Sequence, residues 1–438
     1  MPTDMIAGAS PHDEPVTPEV LRKVLGASFI GNFVEWFDYA SYGYFAIVIA
    51  HAFFPEIAPE SALLATFAVF AISFVIRPIG GIIWGQIGDR IGRRTALSWS
   101  ILIMSGATTA MAILPSYHQI GILAPILLVV IRMIQGFSAA GEYAGATSFI
   151  AEYSPDNRRG LYTSIVPAST AAGLLFGSLL SALLFWLLTL EQMQTFGWRL
   201  PFLLAAPLGL IGLYIRLRLE DTPKFRQLEE AHHIDETPIR DLFANYWRPM
   251  LIAFGVTCLN AVGFYLILSY MPTYLINELG IGEEQAFFAT SITLAVYIGM
   301  IFLMGQLSDR FGRKTALITA SVLFMLLTVP LFSLLGGASF FTVVLIQVAF
   351  GMLLTINDGT LPCFLSEIFP TKVRYSGFAF SFNTANALFG GTAPFIATWL
   401  IGVTGSKLAP AWYLVAAAAV ALVAMLLSRE TAGQPLKD

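Results

Sequence analysis

The sequence predicts an all-α membrane protein in which 12 transmembrane helices form two six-helix bundles. Three observations lead to this prediction: long apolar runs, the segregation of basic residues among the loops, and an internal repeat. Of the 438 residues, 56% are hydrophobic and only 12% are charged, which is about half the charged fraction of a soluble domain. Such a chain would expose too much apolar surface in water, so lipid is its expected solvent.

Apolar runs long enough to cross hydrocarbon as helices, about 20 residues each, occur six times in each half of the sequence. The start of the chain is polar and lacks the features of a cleaved signal, so the first run is expected to stay in the protein. The predicted spans lie near 25–50, 61–84, 95–115, 121–146, 161–189, 199–217, 248–275, 286–306, 315–335, 340–364, 376–403 and 410–428.

Basic residues are concentrated in one set of loops. With these spans, 20 of the 24 Lys and Arg residues fall in the loops and tails on the side of both termini. The exceptions are Arg77 and Arg132 within spans, Arg199 at the start of a span, and Lys407 in an opposite loop. Because basic loops remain in the cytoplasm during insertion, both termini are predicted to be cytoplasmic.

An internal repeat divides the chain into two related halves. The segment GQIGDRIGRR at 85–94 returns as GQLSDRFGRK at 305–314, 220 residues later. A second pair, EYSPDNRRG at 152–160 and EIFPTKVRYSG at 367–377, closes a long span in each half. Repetition on this scale indicates two six-span units. The predicted division is an N-terminal tail at 1–22, a first bundle at 23–217, a cytoplasmic linker at 218–247, a second bundle at 248–428 and a C-terminal tail at 429–438.

Composition argues against several other function classes. A net charge of −4 gives no support for nucleic-acid binding. The two cysteines, Cys258 and Cys363, lie inside apolar runs and indicate neither a disulfide framework nor a Cys/His metal site. No arrangement of nucleophile and base suggests an enzyme. We therefore expect no catalytic residue, no metal ion and no cofactor.

Ionised side chains within the spans are the first functional candidates, because an ionised group in hydrocarbon needs a partner or a watery cavity. Glu35 and Asp38 are three residues apart and share a helical face. Two neighbouring desolvated carboxylates rarely both stay ionised, which suits a proton carrier; alternatively, one of them pairs with a basic residue to hold helices together. The histidines lie in polar segments or near span ends. The predicted proton-coupling residues are Glu35, Asp38, Glu142 and Asp358.

Polar and aromatic residues in the spans are the candidates for substrate binding. Arg132 either holds a substrate carboxylate or neutralises Asp38 or Glu142, and Asp358 faces either a cationic group of the substrate or Arg132. Aromatic rings either form a cage for an ammonium group or pack between helices. For Asn357 a hydrogen bond to a neighbouring helix is the favoured interpretation. The predicted substrate-binding residues are Arg132, Gln135, Trp36, Tyr39, Tyr42, Asn260, Tyr265, Asn357, Asn383 and Asn386.

The two repeated loops are predicted to gate the protein, because their charged side chains can clamp the ends of neighbouring helices. Gly88 permits a tight turn in the first of them. The arginines of these loops would also anchor the loops in the cytosol. The predicted gating residues are Asp89, Arg90, Arg93, Arg94, Asp309, Arg310 and Arg313, with Glu152 and Glu367 as acidic partners.

At these two loops the chain resembles the major facilitator superfamily, whose signature loop and its echo they match. The resemblance implies the major facilitator fold, a substrate site near the midplane between the halves and a conformational latch at the loops. GNFVEWFDYASYG at 31–43, FVIRPIGG at 74–81, RMIQGFSAAGEYAGA at 132–146 and GWRLPF at 197–202 are similar to the metabolite:proton symporter family. AEYSPDNRRG, ANYWRP, SYMPTYL and ETAGQPLK are similar to its proline/betaine transporter branch.

This resemblance implies import of a small zwitterionic osmolyte, such as proline or a betaine, by proton symport and alternating access. FGGTAPFIATWLIGVTG at 389–405 also resembles citrate and dicarboxylate carriers, so an organic-acid:proton symporter is the alternative. A solute receptor that transports nothing is an alternative of another class. The expected partners are the solute, protons and membrane lipid, with a monomer in a bacterial inner membrane. Osmosensory members carry a C-terminal coiled coil, so control by such a tail is not expected from a sequence ending at Asp438.

Overall fold

The computed structural model describes residues 16–231 and 237–437. Residues 1–15 of the predicted N-terminal tail, residues 232–236 of the predicted linker and Asp438 lie outside the described residues. In the described ranges every regular element is a helix and no strand occurs. The predicted all-α class is confirmed.

The first helix, α1, spans Pro18–Tyr44 and is continued by Ala46–Phe53 after a break at Phe45. Thr17 caps its start by accepting a hydrogen bond from the Val20 N–H at 3.3 Å, an arrangement that suits a helix with proline in its first turn. The 27 residues before the break rise about 40 Å. This helix is therefore long enough to cross a bilayer.

Eleven further helices in the described residues are long and apolar enough to cross a membrane. Together with α1 they make the predicted 12. They are α2 Ser61–Arg90, α3 Arg93–Ile113, α4 Leu123–Tyr153, α5 Arg159–Leu187, α6 Gly197–Leu217, α7 Trp247–Leu279, α8 Glu283–Phe311, α9 Arg313–Leu335, α10 Phe340–Ile368, α11 Thr371–Thr404 and α12 Ala409–Leu426. Shorter helices at Tyr117–Ile120, Leu190–Thr195, Pro223–Glu230 and Pro238–Asn245 lie between them.

The helices pack as two related bundles, α1 to α6 and α7 to α12. In the first bundle α1 lies along α5 and α6, and α3 lies against α4 and α6. The second bundle repeats this packing, with α7 along α11 and α12, and α9 against α10 and α12. The repeat seen in the sequence is thus a repeat in three dimensions. The exact limits predicted for the two domains and their linker stay a prediction.

The most extensive contacts between the bundles are made by two helix pairs, α2 with α11 and α8 with α5, and glycine permits both contacts. A Cβ atom on Gly85 would lie 2.5 Å from the Cα atom of Ser376, and one on Gly305 would lie 2.6 Å from the carbonyl oxygen of Gly160. A larger residue would push the backbones apart, as is typical where membrane helices approach closely. Gly85 and Gly305 are 220 residues apart, so the two contacts are themselves a repeat.

The regular helices are interrupted where the bundles face each other. α7 contains a π-helical segment at Tyr265–Tyr270, and α11 contains another at Asn386–Gly390. In α10 the helix ends at Asp358 and resumes at Leu361. Irregular backbone inside a membrane protein is tolerated where it lines a cavity, and π segments often mark functional sites. These three interruptions therefore indicate that a functional site lies in this region between the bundles.

Candidate functional site

An enclosed cavity lies between the bundles at these interruptions. The cavity is small, and every residue that lines it is buried. Both bundles contribute walls, so a solute held here would contact the two halves at once. The lining residues are Trp36, Tyr143, Pro167, Thr170, Asn260, Phe264, Tyr265, Tyr297, Asp358, Phe382 and Asn386.

Asp358 supplies the carboxylate among these lining residues, and no lysine, arginine or histidine lines the cavity. Its Oδ1 atom accepts a hydrogen bond from Asn260 Nδ2 at 2.8 Å, and its Oδ2 atom accepts one from the Tyr297 hydroxyl at 2.6 Å. In the described part of the chain, no basic group forms an ion pair with it. A fully buried carboxylate is thus held by neutral donors, in a position to meet a proton or a cation.

Aromatic rings make up most of the remaining wall. The rings of Tyr143 and Phe382 stack with centroids 4.4 Å apart, across the two bundles. Trp36 of α1 also meets Phe264 of α7 edge to face, with ring centroids 5.1 Å apart. Such faces attract organic cations. The cavity is therefore suited to a small solute with a cationic group.

Glu35 and Arg77 form an ion pair in the first bundle, with Glu35 Oε1 at 2.7 Å from Arg77 Nη2. The pair is incomplete, because Glu35 Oε2 and Arg77 Nε are buried without a partner in the described residues. The guanidinium carbon of Arg77 lies 4.7 Å from the Phe74 ring centroid, and Phe74 packs on Tyr265 of the cavity at 5.7 Å. This ion pair therefore lies behind one wall of the cavity.

Asp38 and Arg132 form a second pair in the first bundle, at 2.7 Å. Gln135 Nε2 donates to the other carboxylate oxygen of Asp38 at 3.0 Å, and the ring of Tyr42 lies 3.7 Å from the guanidinium carbon of Arg132. Of the two arrangements predicted for Arg132, the structure shows the ion pair with Asp38.

Glu142 is held most tightly of these acids. Both of its carboxylate oxygens accept hydrogen bonds from Arg216, and Ser100 Oγ donates to it at 3.0 Å. Arg216 also donates to the backbone carbonyl of Leu97 at 2.5 Å. With every oxygen satisfied, this pair resembles a structural tie between α4 and α6. The pairing of Glu142 with Arg216 was not predicted, since Arg216 lies at the end of a span among loop arginines.

At the end of the molecule where α3 and α9 begin, here called the basic end, a charge cluster joins α2 to α11. Asp89 accepts hydrogen bonds from two backbone N–H groups in the first turn of α11, the nearer being that of Ser376 at 2.9 Å. Arg93 lies 3.2 Å from Asp89 and 3.3 Å from Glu152, and Arg374 lies 2.5 Å from Glu152. We call Asp89, Arg93, Glu152 and Arg374 the first latch.

The second latch repeats this arrangement between α8 and α5. Asp309 accepts hydrogen bonds from the first turn of α5, at 2.8 Å from the Gly160 N–H. Arg313 lies 2.7 Å from Asp309 and 3.2 Å from Glu367, and Arg159 lies 2.7 Å from Glu367. In both latches a carboxylate from one bundle meets the positive N-terminus of a helix from the other bundle. Both latches therefore join the two bundles at the basic end.

Three of the predicted gating arginines lie outside the latches. Arg90 and Arg310 are exposed, and Arg94 donates to the backbone carbonyl of Leu219 at 3.0 Å. Arg159 and Arg374 belong to the latches although the sequence did not predict it. Both arginines lie within the repeated segments at 152–160 and 367–377, and this repeat was the sequence signal that could have identified them.

The segments that follow the sixth helix of each bundle also support the latches. Asp221 accepts from the Arg93 N–H at 3.1 Å, and burial raises the pKa of Asp221 despite that bond. Glu430 accepts from the Arg313 N–H at 2.8 Å. The hydroxyl of the following threonine donates to Glu152 in one bundle and to Glu367 in the other. The short repeat EDT at 220–222 and RET at 429–431 was the sequence signal for this feature.

The structure brings some of the predicted substrate-binding residues to the cavity and places others elsewhere. Trp36, Asn260, Tyr265 and Asn386 line the cavity. Arg132, Gln135 and Tyr42 surround Asp38, whereas Tyr39 donates to Ser73 at 3.2 Å beside Arg77. Asn383 joins α11 to the Ala140 carbonyl of α4 at 2.8 Å. Asn357 is buried away from the lining, and its side-chain amide has no hydrogen-bond partner in the described residues, so the predicted bond to a neighbouring helix is not formed. Lining residues that were not predicted are Tyr143, Pro167, Thr170, Phe264, Tyr297 and Phe382.

Metal binding has no geometric support in the described ranges, where no group of three His, Cys, Asp or Glu side chains could hold an ion.

Comparison with protein families gives two matches. The family described as Major Facilitator Superfamily matches residues 28–287, and the family described as Sugar (and other) transporter matches residues 226–438. Together they cover both bundles.

Among curated proteins, the chain is 39% identical over 429 residues to the glycine betaine/proline/ectoine/pipecolic acid transporter OusA of Dickeya dadantii, which covers 95% of this chain and 85% of that protein. It is 38% identical to the proline/betaine transporter of Escherichia coli K12 with the same coverage. A putative proline/betaine transporter of Staphylococcus aureus is 37% identical over 419 residues, with 95% and 90% covered.

Among solved structures, the proton:xylose symporter XylE bound to 6-bromo-6-deoxy-D-glucose superimposes with a TM-score of 0.80 at 18% identity, covering 95% of this chain and 98% of that one. An inward-open conformation of XylE from E. coli gives a TM-score of 0.67 at 17% identity, with the same coverage. At these identities the agreement concerns the fold.

Proposed function

Because this chain belongs to the major facilitator superfamily, we propose that it carries a small zwitterionic solute of the proline or betaine type across a membrane together with protons. The observation that carries this proposal is the cavity between the bundles. It combines one carboxylate without a basic partner, a wall of aromatic rings and no basic side chain in its lining. A cationic group entering this space would compensate the buried charge of Asp358.

Energetics favour a zwitterion over other solutes. A buried carboxylate without a counter-ion is unfavourable by several kcal/mol, about 3 to 5 when measured by removing one partner of a buried ion pair. A solute with an ammonium group supplies that partner, and the aromatic faces add cation–π attraction. An organic acid with several carboxylates would instead add like charge beside Asp358. The organic-acid alternative is therefore disfavoured by the cavity lining.

The relatives support the same class of solute. The name of the Dickeya dadantii protein includes glycine betaine, proline, ectoine and pipecolic acid. Each of these compounds combines one carboxylate with a nitrogen that bears at least two carbon substituents. We propose that this chain takes solutes of that kind.

Protons are proposed to bind in the first bundle, at Glu35 or Asp38. Each acid lies 2.7 Å from an arginine nitrogen, so protonation of the acid releases a buried arginine and changes the local charge. Glu142 is less suited to this role because Arg216 and Ser100 occupy its oxygens. In this scheme the two bundles share the work: one handles the proton and the other the cationic group of the solute.

The two latches support alternating access. They hold the basic end closed by contacts between bundles, and such contacts must break for solute to leave at that end. The basic end is proposed to face the cytoplasm of a bacterial cell, because basic loops stay inside during insertion. Both termini would then be cytoplasmic. A receptor that transports nothing has no use for two repeated latches, and the cavity and latches are complete within one chain, which supports a monomer as the functional unit.

Reconstitution into proteoliposomes tests this proposal. We expect uptake of radiolabelled glycine betaine or proline when the outer solution is more acidic than the lumen, and loss of accumulation when a protonophore collapses the gradient. Uptake that ignores the imposed gradient would contradict proton coupling. Uptake of citrate without uptake of either zwitterion would move the protein to the organic-acid class, and binding without uptake would make it a receptor.

A further inference from the structure

Two hydrogen-bond donors in the cavity wall have nothing to donate to. Trp36 Nε1 and the Tyr265 hydroxyl are buried without a partner in the described residues, and both residues line the cavity. A buried donor left unpaired is unfavourable, and each exception in a folded protein calls for an explanation. Unpaired donors on residues that line a cavity are explained if a ligand supplies the acceptor.

The two donors lie side by side but come from different bundles. The rings of Trp36 in α1 and Tyr265 in α7 have centroids 6.2 Å apart, and Tyr265 begins the π-helical segment of α7. Both residues are therefore within reach of one small solute in the cavity. Arg77, which is paired with Glu35, lies behind this wall, because Arg77 packs on Phe74 and Phe74 packs on Tyr265. This end of the cavity, here called the donor end, is complementary to an anion.

The opposite polarity is found at Asp358. Its carboxylate already accepts one hydrogen bond on each oxygen, from Asn260 and Tyr297, and lacks a cation. The stacked rings of Tyr143 and Phe382 lie in the same lining. This end, here called the acceptor end, is complementary to a cation that needs few hydrogen-bond acceptors of its own.

We infer that the cavity binds its zwitterion in one orientation, with the carboxylate on Trp36 Nε1 and the Tyr265 hydroxyl and the substituted nitrogen against Asp358. This assignment rests on the proposed function and specifies the site for it. It gives Trp36 and Tyr265 a role as hydrogen-bond donors to the solute, beyond the ring packing that their aromatic character provides. It also makes the solute a bridge between the bundles, since its carboxylate contacts α1 and α7 together.

The acceptor end has a consequence for selectivity. A quaternary ammonium has no N–H group, so it leaves no donor unpaired when it lies against aromatic faces and a carboxylate that already accepts two hydrogen bonds. A primary ammonium must find acceptors for three N–H groups, and each one left unpaired weakens binding. Affinity is therefore expected to rise through the series glycine, N-methylglycine, N,N-dimethylglycine and glycine betaine.

The donor end is tested by removing each donor while keeping its ring, with Trp36→Phe and Tyr265→Phe. Binding of radiolabelled glycine betaine to the full chain in nanodiscs is measured directly, and choline, which shares the trimethylammonium group but lacks the carboxylate, is measured as a competitor. Each variant should bind glycine betaine about tenfold more weakly and leave the inhibition constant of choline unchanged. Equal losses for both ligands, or no loss for glycine betaine, would overturn the orientation.

Tyr270→Phe is the matched control for Tyr265→Phe. Tyr270 lies in the same π-helical segment, but its hydroxyl pairs with Thr398 Oγ1 at 3.0 Å and it does not line the cavity. Loss of the Tyr270 hydroxyl should leave the binding of glycine betaine and of choline unchanged. If Tyr270→Phe weakens glycine betaine as much as Tyr265→Phe does, the effect is on the segment and the proposed donor role is wrong.

Tyr297→Phe tests the acceptor end. It frees one oxygen of Asp358 to accept from a solute N–H, so the affinity of glycine relative to glycine betaine should rise about tenfold. An unchanged ratio would contradict the proposed contact. The proposed function and the proposed orientation fail in different ways. If the wild-type protein binds citrate and none of the zwitterions, the proposed function is wrong. If both donor variants bind glycine betaine as the wild type does, only the orientation is wrong.

Discussion

In the first bundle, Glu35, Asp38 and Glu142 each form an ion pair with an arginine, whereas in the second bundle Asp358 is held by two neutral donors. The bundles share packing and latches, so this difference is not a difference of fold. A carboxylate with its own arginine can exchange that partner for a proton. A carboxylate without one is suited to receive the cationic group of a solute, so two related bundles can divide a symport reaction between them.

Asp358→Asn should have the largest effect on the second bundle. The amide keeps the shape of the side chain but removes the charge that a cationic group needs, and loss of one partner of a buried charge pair weakens binding by about 2 to 5 kcal/mol. Binding of glycine betaine in nanodiscs should fall by roughly 30-fold or more. The thermal unfolding midpoint should not fall, because an uncompensated buried charge is removed. Unchanged affinity would show that Asp358 does not meet the solute.

Asp38→Asn tests the first bundle. With no proton to carry, the variant should lose accumulation driven by a pH gradient while keeping exchange of labelled for unlabelled solute in proteoliposomes. Glu283→Gln at the exposed start of α8 removes an acid outside the site and should leave both assays unaltered. If accumulation survives in Asp38→Asn, the pair with Arg132 is structural and Glu35 becomes the remaining candidate in α1.

Glu142→Gln should separate a structural pair from a functional one. The change leaves Arg216 buried without its charge partner, which destabilises a protein by about 3 to 5 kcal/mol. We expect a lower unfolding midpoint in a thermal scan of the purified protein, with glycine betaine affinity retained at low temperature. The opposite pattern, a stable protein without coupling, would place Glu142 among the proton carriers and break the proposed division.

The latches offer a comparison in which the bundles should behave alike. Asp89→Asn and Asp309→Asn each remove the charge of a carboxylate that contacts a helix N-terminus and the arginine of its own latch. Loss of the contact between bundles, at the helix N-terminus, is worth about 1 kcal/mol, or roughly fivefold in the ratio of closed to open molecules. Spin labels on cysteines placed at the exposed positions Arg90 and Arg310, one in each bundle, report the distance between bundles at the basic end. Both native cysteines are buried. A shift in only one variant would show that the repeat is not functionally symmetric.

The fold was predictable because the signals that determine it are local and repeated. Apolar runs fix the spans, and the loop at 85–94 and its echo at 305–314 identify the two halves. Acidic residues within spans were also easy to select, since few positions in hydrocarbon carry charge. Their partners were not predictable: pairing of Glu142 with Arg216 depends on the approach of α4 and α6, and no spacing within one helix encodes it.

The cavity lining was only half predictable for a similar reason. Trp36 and Tyr265 are predictable because they are aromatic residues near polar ones. Tyr143 and Tyr297 differ from other aromatic residues only in that their helices turn them toward the cavity. That face is decided by packing between the bundles. In a sequence with 13% aromatic residues, the choice among rings needs the three-dimensional structure.

The smallest effect is expected for Arg310→Gln, compared with Arg313→Gln three residues later in the same loop. Sequence alone treats the two arginines alike, whereas the structure leaves Arg310 exposed and buries Arg313 between Asp309 and Glu367. Arg310→Gln should change the unfolding free energy by less than about 0.5 kcal/mol and leave transport unaltered. Arg313→Gln should open the second latch, seen as a longer distance between bundles at the basic end. Equal effects of the two substitutions would mean that the loop acts through its total positive charge and not through the contacts of the latch.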